Sequence, residues 1–191
     1  AGTAPLPDQT VLDYLKLHTS TQAVDFRKIK SACNHRKVRL QAHSLISKQN
    51  TGQFNVGMIA DLYDHVITNW NYIPDAIGAE EPALASESGQ LFRGDTDDFA
   101  VYLASLLWAV GGQIRVFYAE SSSKRHAFVQ VNLGQTDLYA TRRYLSTRYR
   151  VSPDQINIVM DIRGDSWLNL DCTTRHPGAA MRQDYHADIF Y

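Results

Sequence analysis

Little in this sequence assigns it to a class at sight. Cysteine is scarce: Cys33 and Cys172 are the two in 191 residues, which leaves room for one disulfide but does not diagnose an oxidising compartment. No stretch approaches the roughly eighteen apolar residues needed to cross a bilayer, and no charged-then-apolar signal segment opens the chain, so a soluble protein is expected. Neither sign of charge is in excess, with 19 Lys and Arg against 20 Asp and Glu. The general reason to expect nucleic acid or an anionic membrane as partner is therefore missing. Internal repeats and low-complexity tracts are also absent. What is present is 44% hydrophobic content, enough to bury one sizeable core, so function has to come from local sites. Residues 1–9 are small and polar with Pro5 and Pro7, which fits a mature end left by signal cleavage or an expression boundary equally well.

Periodicity divides the chain into an N-terminal helical extension over 1–50 and a core over 51–191, with an insert at about 135–155. Val11, Leu12 and Leu15 mark a short helix capped by Asp8, and a longer helix is expected over 21–48. After the break at Asn50, Thr51 and Gly52, the residues Val56, Ile59, Tyr63, Val66, Ile67 and Trp70 share one helix face, with Pro74 as the stop. Residues 78–89 read as a loop. A helix follows, carrying Phe99, Leu103, Leu106, Leu107 and Val110, capped by Asp95 or Thr96 and ended by Gly111. Strands are expected over 113–119 and 126–133 as a hairpin, and over 156–162 and 166–171 around a Gly164-Asp165 turn, with a helical insert over 137–150 between the pairs.

Three short motifs lie in order on these elements: Arg93-Gly94-Asp95-Thr96-Asp97-Asp98-Phe99-Ala100 at the helix start, His126-Ala127-Phe128-Val129 on a strand, and Trp167-Leu168-Asn169-Leu170-Asp171 on the next. A nucleophile at a helix N-terminus gains from the terminal N–H groups and the helix dipole. A histidine at a strand start supplies the base, and an aspartate on the next strand orients it. This order resembles the transglutaminase-like superfamily, relatives of papain-type cysteine proteases, whose pattern is Gly-Asp-Cys-Asp-Asp, then His-Ala-aromatic-Val, then Trp-x-x-x-Asp. Residues 69–75, Asn-Trp-Asn-Tyr-Ile-Pro-Asp, are similar to that family's approach helix. The resemblance covers roughly the last 130 residues. It implies an α+β fold with a central helix on an antiparallel sheet, and a triad at Thr96, His126 and Asp171. Bacterial relatives of this kind are often exported or attached to envelope proteins, which inclines the expectation toward an extracytoplasmic, periplasmic setting.

The departure is at the decisive atom, because Thr96 stands where the family has cysteine. A thiol with a reference pKa of about 8.5 is brought to thiolate by a helix dipole and an imidazole, whereas an aliphatic hydroxyl ionises several units higher. Threonine nucleophiles depend chiefly on an N-terminal amine, and Thr96 is internal. The expected function is accordingly a catalytically inactive, pseudoenzyme domain that binds a protein or peptide or plays a structural part. The alternative is an active acyl-transfer enzyme, a transglutaminase or peptidase-like amidase, using Thr96, His126 and Asp171. No cofactor and no metal are expected, since acidic residues such as Asp95, Asp97 and Asp98 suit a helix's first turn through the dipole alone. Cys172 reads as a small core side chain and Cys33 as structural. The basic residues Arg27, Lys28, Lys30, Arg36, Lys37 and Arg39 read as a solvated helix face. The insert, with Arg142, Arg143, Arg148 and Arg150 among Tyr139, Tyr144 and Tyr149, suits a protein partner as well as it suits solvent. Arg163-Gly164-Asp165 and Arg93-Gly94-Asp95 are ordinary turn and cap chemistry. Trp70 and Gln90 are the upstream candidates for a second oxyanion donor.

Overall fold

In the computed structural model, residues 35–74, 91–120, 125–134, 136–180 and 186–190 are described. The expected short helix near Val11, Cys33 and the loop over 78–89 lie outside them. Helix α1 (Arg36–Leu45) turns Val38 and Ala42 inward, one helical turn apart. The helix expected over 21–48 is corrected at both described ends, since the backbone is extended at His35 and again at Ile46. Its C-terminal limit is set by a neighbour: Asp61 Oδ2 accepts the Ser47 N–H at 2.9 Å and Asn50 Nδ2 at 2.7 Å, drawing the chain off the helix axis. A 3-10 turn at Lys48–Asn50 follows.

Helix α2 (Val56–Asn69) is capped by Asn55, whose side chain accepts the Met58 N–H. Ile59, Tyr63 and Val66, predicted on its inner face, are fully buried. It ends at Asn69, well before Pro74, because Trp70 becomes extended and leads into a two-residue strand. That strand, β1 (Asn71–Tyr72), pairs in parallel with β2 (Arg93–Gly94). Neither carried a sequence signal, since two residues are too few to show a period.

Helix α3 (Thr96–Ala109) is the centre of the molecule. Eleven of its fourteen residues are buried, the mark of a helix enclosed on all sides rather than one lying on a surface. Gly111, with φ +94°, ends it in the left-handed conformation that glycine adopts without strain. The sheet beneath it runs β5-β6-β4-β3-β7, antiparallel throughout, from β3 (Ile114–Glu120), β4 (Arg125–Asn132), β5 (Ile158–Met160), β6 (Ser166–Leu170) and β7 (His186–Phe190). Ile114, Val116, Ala127, Val129, Val131, Leu168 and Leu170 join α3 in one core with Val38 and Ala42 of α1. The predicted α+β architecture, a central helix on an antiparallel sheet preceded by helices, is the one observed.

The strand expected over 156–162 shortens to three residues, because Pro153–Gln155 forms a 3-10 turn before it and Asp161 begins the tight turn after it. Strand β7 was not anticipated. The insert is helix α4 (Leu138–Tyr149), capped by Asp137 and closed by Arg150 in the left-handed region.

Candidate active site

The site begins at the N-terminus of α3. Asp95 Oδ1 accepts the N–H groups of Asp97 (2.8 Å) and Asp98 (3.2 Å), and Asp98 Oδ2 accepts the Asp95 N–H in return. This reciprocal box satisfies donors that every helix start leaves open and accounts for two of the three clustered acids. Asp95 is therefore the cap, and Thr96 is the first residue inside the helix, where a branched side chain meets no preceding turn. Gly94 is required by the same box: a Cβ there would lie 2.2 Å from Asp98 Oδ2.

The three motif positions lie on adjoining elements: Thr96 is bonded to the residue after His126, and His126 to Asp171. Thr96, His126 and Asp171 are 8%, 7% and 7% exposed. The β4–β6 ladder stops with Val129 opposite Leu170, and the buried N–H of Ala127 donates instead to Thr96 Oγ1 at 3.2 Å. Thr96 Oγ1 in turn donates to Asp97 Oδ1 at 3.3 Å. His126 Nε2 lies 2.7 Å from Asp171 Oδ2. An ionised carboxylate only accepts, so in that state Nε2 is the donor and the basic lone pair sits on Nδ1. The second carboxylate oxygen, Asp171 Oδ1, accepts the Thr173 N–H at 2.8 Å and Thr173 Oγ1 at 2.9 Å, which fixes the carboxylate plane.

Two supports for this pair escaped the sequence. Tyr63 on α2 is fully buried, and its hydroxyl lies 3.1 Å from the Asp171 carbonyl oxygen and 2.9 Å from that of Thr174. Burial, opposed by the Thr174 hydrogen bond, raises this phenol well above its ordinary pKa, so it stays a neutral donor. The His126 ring lies along Phe128 (centroids 6.1 Å, 27°), which stacks on Phe117 (4.8 Å, 10°). Tyr63 shows only helical periodicity in the sequence, and nothing there reveals what its hydroxyl meets.

Cys172 is a free thiol packed against the core. Burial first, then the charge of Asp171, pushes it up to about 12, which excludes a resting thiolate near neutral pH. Trp70 packs edge-on against Phe99 (5.4 Å) and flat on Tyr102 (6.2 Å), with its indole N–H buried and without a hydrogen-bond partner among the described residues. Gln90 lies outside the described residues. Phe92, just before β2, has φ +43°, a conformation that costs a bulky residue roughly 1–3 kcal/mol; its ring is held against Tyr102 and His65.

Helix α4 is bolted to α2 on the flank of the site. Arg148 donates to Asp64 Oδ2 through Nε (2.9 Å) and Nη2 (2.7 Å), to Asp61 Oδ1 (2.8 Å) and to the Tyr144 hydroxyl (2.8 Å), while the Tyr149 hydroxyl donates to Asp64 Oδ1 (2.7 Å). Of the arginines and tyrosines flagged in the insert, Tyr144, Arg148 and Tyr149 thus serve the fold.

No family model and no curated protein matches this chain. Among solved structures, it aligns with a proposed cysteine protease from Cytophaga hutchinsonii at TM-score 0.47 and 16% identity, covering 96% of this chain and 52% of that one. A proposed protease from Parabacteroides distasonis aligns at TM-score 0.47 and 13% identity, covering 82% and 30%. The chain thus spans about half the length of the first and less than a third of the second. What the site does is read from its own atoms.

Proposed function

We propose that this chain is a transglutaminase-like domain that has lost its nucleophile and keeps its cleft to bind a protein or peptide without cutting it. The observation that carries this reading is the engagement of the Thr96 hydroxyl. Its oxygen accepts the Ala127 N–H and its proton points to Asp97, so it ties the helix start to the His126 strand. Magnitudes favour the same reading. An aliphatic hydroxyl ionises several pKa units above a thiol at about 8.5, and each unit is about 1.4 kcal/mol. A helix N-terminus offers at most about 2 kcal/mol toward that gap.

The test is Thr96→Cys. If the geometry is that of an intact thiol site, the introduced cysteine is alkylated by iodoacetamide near pH 6, where ordinary thiols are protonated, and mass spectrometry maps the label to position 96. Wild-type protein is expected to leave Gln-containing peptides unchanged under all conditions. Hydrolysis or transamidation of such a peptide by wild type, abolished by Thr96→Ala, overturns the proposal.

A second reading, acyl transfer by a threonine hydroxyl, draws on the close, buried contact between His126 and Asp171. There His126 Nδ1 would take the Thr96 proton as the oxygen attacks a carbonyl carbon, and would later return it to the departing amine. A fluorophosphonate probe that labels wild type and spares Thr96→Ala would favour this reading; absence of label where Thr96→Cys reacts would remove it.

A further inference from the structure

Helix α4 carries more cation than the fold uses. Between residues 138 and 152 stand Arg142, Arg143, Arg148 and Arg150 with no Asp or Glu, in a protein whose net charge is −1. A solvated helix face ordinarily mixes both signs, pairing them four residues apart. The structure separates these arginines by use. The Arg148 guanidinium is neutralised by Asp61 and Asp64. Arg142 donates through Nε to the Ile156 carbonyl, a neutral acceptor, and forms no ion pair with a described residue. Arg143 is exposed and makes no hydrogen bond or ion pair to any described residue.

Arg143 opens onto a shallow, solvent-open groove of about 520 Å³ whose described lining residues, Ala140, Arg143, Tyr144, Thr147 and Arg148, form a single stripe along α4. No carboxylate is among these lining residues. The Tyr144 hydroxyl accepts from Arg148 and so retains its own proton to donate, as does Thr147. Tyr139, one helical turn before Arg143, is 74% exposed. The groove therefore offers a planar guanidinium and two hydroxyl groups on a largely apolar lining, with the open Tyr139 ring one turn before it on the same helix. The Arg148–Asp64–Tyr149 cluster anchors the helix behind it, so ordering on binding is confined to the exposed side chains Arg143 and Tyr139.

We infer that this groove is a docking surface for an acidic segment of another protein, distinct from the Thr96 cleft. A carboxylate of the partner takes the Arg143 fork, the geometry for which arginine is best suited. An apolar or aromatic neighbour on the partner covers Tyr139 and Ala140. Nucleic acid fits less well, because tracking a phosphate backbone takes several free cations, and among the described lining residues only Arg143 is uncommitted.

The test uses the full chain and a fluorescein-labelled decapeptide of alternating Glu and Tyr, with Gln-Tyr and Lys-Tyr peptides and a dT oligonucleotide as comparisons, read by fluorescence anisotropy. Saturable binding of the Glu-Tyr peptide is expected, weakening with added salt. Arg143→Glu should weaken it at least tenfold, Arg143→Lys less, and Tyr139→Ala about threefold, with circular dichroism showing each variant folded. Arg36→Glu, an equal charge change on α1, should leave it unaltered. The inference is overturned by no binding of the Glu-Tyr peptide, by equal affinity for the Gln or Lys peptide, by tighter binding of the oligonucleotide, or by Arg143→Glu binding like wild type.

Discussion

On the side of the sheet that meets α3, the inward residues Val116, Val129, Val131, Leu168 and Leu170 are apolar and buried. On the reverse side, alternation places Arg115, Phe117, His126, Phe128, Gln130, Trp167 and Asn169. Arg115, Gln130 and Asn169 fall in register on three neighbouring strands. Arg115 Nε donates to Gln130 Oε1 at 2.7 Å, and Gln130 Nε2 donates to Asn169 Oδ1. The guanidinium lies 4.0 Å over Trp167, whose indole N–H donates to Asp161. One side is held by non-directional burial, which tolerates repacking. The other, which carries the His126 ring, is held by bonds that each have one correct partner, so loss of a single group strands the next.

The largest expected effect breaks the apolar side. Phe99→Ala should cost about 3–5 kcal/mol, as large-to-small changes at fully buried aromatic positions do, and the urea midpoint should fall accordingly. Next comes the polar row: Gln130→Leu keeps the volume but leaves Arg115 and Asn169 short of partners, an expected loss of about 1–3 kcal/mol. Leu168→Ile, the equally conservative change on the opposite face, should cost less than about 1.5 kcal/mol. If Gln130→Leu proves as mild as Leu168→Ile in the same denaturation experiment, the contrast between the faces is lost.

Tyr63→Phe sharpens the comparison at the site itself. Loss of one hydroxyl from a buried bond should cost about 1 kcal/mol, and the downfield NMR signal of the His126 ring proton shared with Asp171 should broaden or shift. An unmoved signal would make Tyr63 a packing residue only. The mildest effect is on the pH slope. Burial alone would raise the Asp61 carboxyl, but hydrogen bonds from Asn50, the Ser47 backbone and Arg148 outweigh it and hold the pKa below 3.8. A depressed carboxylate stabilises the fold above its unfolded pKa and ceases to do so as pH falls through the folded value. Wild-type stability should therefore decline below about pH 4, and Asp61→Asn should show a shallower decline there, measured as unfolding free energy against pH.

What was legible in the sequence was local. The apolar period of α2, the acidic start of α3 and the Gly111 stop all act within a few residues, and the motifs that carry Thr96, His126 and Asp171 are each short runs of neighbours. The boundaries that went astray were decided at a distance. The end of α1 depends on Asp61, which belongs to the next helix, and β1 exists because Asn71 and Ile73 find carbonyls at Phe92 and Gly94. The Arg115 row was invisible because polar residues on a strand ordinarily mean solvent, and only the registered sheet shows that they face one another.

Tyr63 and Asp171 are 108 residues apart along the chain. Closing so long a loop adds little to the equilibrium cost, which grows only logarithmically with length, but it delays the event. At a synthesis rate of about 5–20 residues per second, Tyr63 leaves the ribosome roughly 5–20 s before its acceptor does. Through that interval the Tyr63 phenol has only water to bond and the apolar face of α2 is still waiting for the sheet. The bond from Tyr63 to the Asp171 carbonyl can therefore form only after the chain has returned to α2.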